Sequence, residues 1–228
     1  MSEAAAGRRE RLVEVYREAS GCTLCPLART RTNVVFGAGH ADAELMFIGE
    51  APGAEEDRQG LPFVGRAGGL LNELLGGIGL SRDDVFVANV LKCRPPGNRD
   101  PQPIEIETCR PYLLRQVDLI EPRVIATLGN FATKLITANP TGITKVRGRP
   151  QIHTIGERTV SVFPLLHPAA ILRNPGQRPA MEEDFAALRE LLSRPAPAQG
   201  KVTPPELPSP RSPEPGRSAE DQLDFFTS

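Results

Sequence analysis

Four cysteines carry the first chemical signal in this 228-residue chain. Cys22 and Cys25 form a C-x2-C pair, while Cys93 and Cys109 stand apart with fifteen residues between them. A C-x2-C turn presents two thiolates together, and two further thiolates close a four-sulfur site. All four fit one site with none left over. The spacing suits a four-iron, four-sulfur cluster, whose larger frame tolerates scattered ligands, and Pro26 follows Cys25 as in some cluster-binding runs. Zinc and four unliganded buried thiols stay open on spacing alone, although zinc sites commonly use two C-x2-C pairs. Either metal would staple the N-terminal region to the middle of the chain.

Three further segments hold chemistry-bearing residues. Gly49-Glu50-Ala51-Pro52-Gly53 places a carboxylate in a tight turn whose small residues let a ligand approach the backbone. Glu50 there is suited to orienting water or stabilising developing positive charge. Leu61-Pro62-Phe63-Val64-Gly65 puts an aromatic ring in a loop, where Phe63 either stacks on a base or plugs the core. His167-Pro168-Ala169-Ala170-Ile171-Leu172-Arg173 begins with an imidazole that can donate a hydrogen bond to an anionic leaving group. The apolar stretch after it, ending in Arg173, suits a wedge that enters DNA beside a phosphate contact.

These segments need a frame, and apolar patterning supplies one. Short apolar runs predict strands over 44–49, 84–91, 123–129 and 159–166. Helical patterns cover 9–19, 67–75, 104–120, 131–138 and 179–193. Strand–helix alternation implies an α/β fold, a central four-stranded parallel sheet between two helical layers. In such sheets ligands bind outside the carboxyl ends of the strands. Gly49-Glu50, Asn89 through Cys93, and His167-Pro168 all follow strand ends, so they are expected to share one cleft.

Composition fits a soluble globular chain, with 39% hydrophobic and 24% charged residues. No run is long and apolar enough for a membrane span, and Met1–Glu10 lacks a secretory pattern. A cytoplasmic, monomeric protein with reduced thiols is expected. The net charge of −1 does not advertise a nucleic-acid binder, yet it is unevenly spread. Between Thr144 and Arg178, Lys145, Arg147, Arg149, Arg158, Arg173 and Arg178 face one acid, Glu157. Such a surplus can neutralise several phosphates, or serve as a plain solvated face.

Taken together and in order, these features resemble the type 4 uracil-DNA glycosylases. The resemblance rests on Cys22-x2-Cys25, the Gly49–Gly53 loop, Leu61–Gly65, Asn89-Val90-Leu91-Lys92-Cys93-Arg94-Pro95-Pro96, Cys109 and His167-Pro168-Ala169. It spans residues 21–194. It implies a three-layer α/β/α glycosylase fold and a 4Fe-4S cluster on Cys22, Cys25, Cys93 and Cys109. It further implies that Glu50 and His167 are catalytic, that Phe63 stacks on uracil and that Asn89 reads its edge. Gly49 and Ala51 would line the base site, and Glu56 would exclude the thymine methyl. Ala170, Leu172 and Arg173 would touch DNA. Type 5 relatives lack an acid at the Glu50 position. A uracil-trapping relative has Gln in place of Ala51 and a basic loop ending in His; no histidine stands between Cys93 and Cys109 here.

Residues 195–228 hold eight prolines and no periodic apolar pattern, and read as a disordered tail after a domain of residues 1–194. The tail ends Asp221-Gln222-Leu223-Asp224-Phe225-Phe226, which resembles the bacterial sliding-clamp-binding peptide. Leu223, Phe225 and Phe226 are its apolar anchors and Gln222 its hydrogen-bonding residue. Two other classes compete with a nucleoid-associated repair enzyme: a non-catalytic metal-bearing DNA-binding module and a cluster-based redox protein. Neither needs Glu50, Asn89 and His167 at three strand ends.

Overall fold

A computed structural model describes residues 3–199. Six strands form one mixed sheet in the order β1-β3-β2-β4-β6-β5. The four inner strands are β3 (Phe86–Asn89), β2 (Leu45–Gly49), β4 (Val124–Leu128) and β6 (Arg158–Leu165), all parallel. These are the four strands expected from sequence. Two antiparallel edge strands enlarge the sheet beyond the expected four: β1 (Ala38–Gly39) and β5 (Gln151–Ile155). β1 has only two residues, too short for an apolar pattern. β5 alternates half-exposed and exposed residues, as a one-sided edge strand does, and joins β6 through the two-residue turn Gly156-Glu157.

The inner strands are buried on both faces, and alternate residues serve opposite layers. Met46 and Ile48 of β2 join one core cluster; Leu45 and Phe47 join the other. Against the first face lie α1 (Glu3–Ser20), α4 (Pro103–Ile120) and α5 (Asn130–Thr137), through Leu12, Val15, Leu113, Val117 and Phe131. Against the second lie α3 (Arg66–Gly77), α7 (Pro168–Arg173) and α8 (Arg178–Ser193), through Leu71, Leu75, Ile171, Phe185 and Leu188. Fully buried Phe47 stacks on Phe185 at 6.1 Å. Losing a ring so placed costs about 3–5 kcal/mol. The three-layer expectation is met.

Other differences from the sequence expectation are local. A short helix, α2 (Ala54–Gln59), follows the Gly49–Gly53 loop, and α6 (Ile143–Val146) precedes β5. After α8 the chain runs without helix or strand to Gln199, whose side chain pairs with both backbone groups of Thr159 at 3.0 and 2.9 Å. The clamp-like residues Gln222, Leu223, Phe225 and Phe226 lie outside the described residues. No described helix is long and apolar enough to cross a membrane.

Candidate active site and thiol cluster

Three strand ends meet as the sequence predicts. Gly49 and Asn89 are register partners at the ends of adjacent parallel strands β2 and β3. Beyond β6, His167 begins α7 and lies against Gly129 at the end of β4. The rings of His167 and Phe63 stack at 5.7 Å with an interplanar angle of 28°. A methyl group added at Gly49 would sit 2.4 Å from Asn89 Oδ1 and 2.9 Å from Phe63 Cζ. The Asn89 amide, the Phe63 ring and the Gly49 backbone therefore pack against one another, an approach that only glycine at position 49 allows.

Asn89 is 1% exposed, and among the described residues its Oδ1 has no hydrogen-bond partner. A buried acceptor left unmade costs about 1–3 kcal/mol. A fold bears that cost where a ligand supplies the missing donor.

The loop that presents Phe63 is held on several sides. Phe63 adopts φ 53°, a left-handed conformation unfavourable for a bulky residue. Glu56 Oε1 accepts from the backbone N–H groups of Val64 and Gly65, both at 3.0 Å. Arg82 donates to the Pro62 carbonyl at 3.0 Å. Under the loop, a methyl group on Gly68 would sit 1.8 Å from Phe63 O, so only glycine lets α3 approach this closely. Glu56, expected near the base, is thus also a brace for the ring.

His167 is a neutral donor at physiological pH. Its Nδ1 accepts from Ala169 N–H at 3.1 Å, so its proton resides on Nε2. Burial, then the Arg173 charge, pushes its pKa down to about 4 against the opposing pull of Glu56. Glu50 is half-buried, and its carboxyl lies above the usual range through burial and the nearby Asp100 charge. Ala51 is also half-buried beside it.

The wedge segment is a helix and not a loose tip. In α7, Ile171 is buried, Leu172 packs partly against the same core, Ala170 is half-buried and Arg173 is exposed. Half of the basic residues of the segment are engaged in internal pairing. Arg147 pairs with Asp184 at 2.8 Å, Arg158 with Glu121 at 3.6 Å, and Arg178 with Glu73 and Glu182 at 3.2 and 2.9 Å. Among the described residues, Lys145, Arg149 and Arg173 remain without ion-pair partners. The surplus read along the chain is thus partly paired, and these three carry its unpaired charge among the described residues. Counting charges along the chain could not reveal acids contributed by α3, α8 and the end of α4.

Cys93 and Cys109 are buried, whereas Cys22 and Cys25 are half-exposed. The thiols come from three segments: the turn after α1, the stretch after β3, and α4. Cys93 Sγ accepts from Arg31 at 3.4 Å, and Cys109 Sγ from Lys92 N–H at 3.3 Å. Burial pushes the Cys109 thiol up to about 11, opposed by Lys92, and raises Cys93, opposed by Arg31. Soft sulfur donors, N–H···S bonds and the neighbouring Arg31 cation fit an anionic iron–sulfur group. As they stand, no three His, Cys, Asp or Glu among the described residues converge on a single metal ion.

A family model described as the Uracil DNA glycosylase superfamily matches residues 36–192. The chain is also 50% identical over 189 residues to the type-4 uracil-DNA glycosylase of Sulfurisphaera tokodaii, covering 81% of this chain and 86% of that protein. The chain belongs to the type-4 uracil-DNA glycosylase family. It is 46% identical over 193 residues to the type-4 protein of Archaeoglobus fulgidus, covering 82% of this chain and 96% of that one. Against the type-4 protein of Saccharolobus solfataricus the identity is 49% over 181 residues, covering 77% and 84%. The superfamily match contains Glu50, Phe63, Asn89, Cys93, Cys109 and His167; Cys22 and Cys25 precede it.

Lys92 and Gln116 carry no role expected from the sequence. Both are fully buried, and they bridge the end of β3 to α4. The signal available was a lysine in an otherwise apolar run, Val90-Leu91-Lys92-Cys93.

Proposed function

We propose that this chain hydrolyses the N-glycosidic bond of deoxyuridine in DNA, releasing uracil and leaving an abasic site. The observation that carries the reading is the buried Asn89 Oδ1, without a hydrogen-bond partner among the described residues and packed beside Phe63 and Gly49. The family supplies the class of reaction, and the Asn89 amide supplies a reason for the choice of base. Uracil leaves the stack, because its glycosidic bond is inaccessible inside a duplex, and lies on the Phe63 ring. Asn89 Oδ1 accepts from the uracil imide N–H, and its amide nitrogen donates to a uracil carbonyl. Cytosine offers the opposite pattern, so it leaves buried polar groups unpaired at about 1–3 kcal/mol each.

As the bond stretches, negative charge gathers on uracil and positive charge on the sugar. The neutral His167 donates from Nε2 to the uracil oxygen, and its depressed pKa reflects a site that disfavours the imidazolium form. Glu50, ionised, stabilises the sugar cation and orients water. Glu56 is assigned to exclude the thymine methyl group, Ala51 to line the site, and Ala170, Leu172 and Arg173 to contact DNA beside the flipped nucleotide. Cys22, Cys25, Cys93 and Cys109 hold a 4Fe-4S cluster in this reading. When bound, the cluster would cross-link the turn after α1, the stretch after β3 and α4.

The tail adds a partner. Gln222, Leu223, Phe225 and Phe226 are assigned to the bacterial sliding clamp on their sequence pattern alone, which would keep the enzyme near chromosomal DNA. A peptide of residues 217–228 that fails to bind the clamp at high micromolar concentration removes this assignment.

A labelled oligonucleotide carrying one uracil tests the main reading, with alkali cleavage after incubation. A break at uracil, with none at thymine in the matched control, is the expected result. No break in single- or double-stranded DNA, from folded cluster-bearing protein, overturns it.

A further inference from the structure

Between Asn89 and Cys93 lies a fully buried lysine. Lys92 is 1% exposed, and among the described residues it has no ion-pair partner. Its Nζ donates to the backbone carbonyl of Asn89 at 2.8 Å and to Gln116 Oε1 at 2.6 Å. Gln116 Nε2 in turn donates to the Phe36 carbonyl at 2.9 Å, and the Phe36 ring lies 5.8 Å from Lys92 Nζ. The four groups form a closed brace across the sheet edge.

The position of the brace has a reason in the register. β1 pairs with β3 only at Ala38↔Val87 and Gly39↔Phe86. Continued antiparallel pairing would set Phe36 against Asn89, but the ladder ends before that point. Lys92 and Gln116 occupy the gap and hold the two carbonyls that it leaves. An apolar side chain of similar length would fill the same volume without the cost of desolvating an amine. What the amine adds is direction: it fixes the peptide from which the Asn89 side chain projects.

That matters because among the described residues the Asn89 Oδ1 makes no hydrogen bond of its own. An amide with an unpartnered acceptor is not oriented by that atom and must be held through its backbone and packing. Displacement of a recognition group by about 1 Å can cost about 100-fold in rate.

We propose that Lys92, braced by Gln116, is a positioning residue for base recognition, acting through Asn89. This rests on the uracil reading above. The same residue donates its backbone N–H to Cys109 Sγ, so the brace also ties the end of β3 to Cys109.

A double-mutant cycle tests the proposal on the full-length holoenzyme. Single-turnover rates on uracil-bearing oligonucleotide are measured for wild type, Lys92→Met, Asn89→Ala and the double variant, with visible absorbance and Tm as checks on cluster and fold. Lys92→Met is expected to slow uracil release by about 10-fold or more in the wild-type background, yet by less than about twofold once Asn89 is gone. Equal losses in both backgrounds, or no loss in either, overturn the proposal, since a merely structural lysine would act regardless of Asn89. If Lys92→Met does not fold, Gln116→Leu enters the same cycle with the same expected pattern. A wild type that releases no uracil overturns the parent reading and this one with it; wild-type release with equal losses overturns only the role of Lys92.

Discussion

Replacing Gly49 by alanine is the sharpest perturbation of this packing. The added methyl group would meet Asn89 Oδ1 at 2.4 Å and Phe63 Cζ at 2.9 Å. Ordinary contact requires a retreat of about 1 Å by the amide or the ring. Neither moves freely. Asn89 is buried within β3, and Phe63 is fixed by the Glu56, Arg82 and Gly68 contacts beneath and beside its loop. Overpacking of this kind costs stability by about 1–3 kcal/mol, so the variant still folds. Activity suffers more selectively. Loss of two base-reading hydrogen bonds at about 1–1.5 kcal/mol each gives about 2–3 kcal/mol in the transition state, or roughly 30- to 150-fold in kcat/KM. The assay is single-turnover cleavage of a uracil oligonucleotide, alongside Tm and the cluster absorbance. Wild-type kcat/KM in a folded Gly49→Ala protein would refute the packing as described.

Other expectations follow from the same geometry. The acid limb of kcat/KM should lie above the usual carboxylate range, because the raised Glu50 group must be ionised to work; Glu50→Gln should remove that limb together with most of the activity. His167 should titrate near 4 by NMR and carry its proton on Nε2 at neutral pH. Since its folded pKa lies below the ordinary 6.5, its contribution to stability is complete above about 6.5 and declines as pH falls toward about 4; a shift of His167 titration to 6.5 or above contradicts the neutral donor. Cys93→Ala should lose the brown cluster absorbance and lower Tm together, whereas a colourless wild type of full stability would count against the cluster. Glu56→Ala should free the Val64 and Gly65 N–H groups, lowering Tm and raising KM as the Phe63 loop loosens; an unchanged KM argues against the brace.

The sequence by itself determined the parts of this protein that depend on order along the chain. Apolar runs of the right length specified all four inner strands, because a strand covered on both faces must be apolar throughout. Parallel strands then force their following loops to one edge, so the order of elements alone brings Glu50, Asn89 and His167 together. The edge strands escaped notice for the complementary reason: β1 is too short and β5 too exposed to carry a continuous apolar signal. What only the tertiary structure decided is which charged and polar groups find partners. Three arginines in the basic segment are paired with acids from distant parts of the chain, so a count of charges overstated the free positive surface. Likewise the His167 proton, the double acceptance by Glu56, the unpartnered Asn89 oxygen and the Lys92 brace all depend on atoms meeting across the fold. Periodicity reports which face of an element is buried; it carries no information about what a polar atom will touch once it is there.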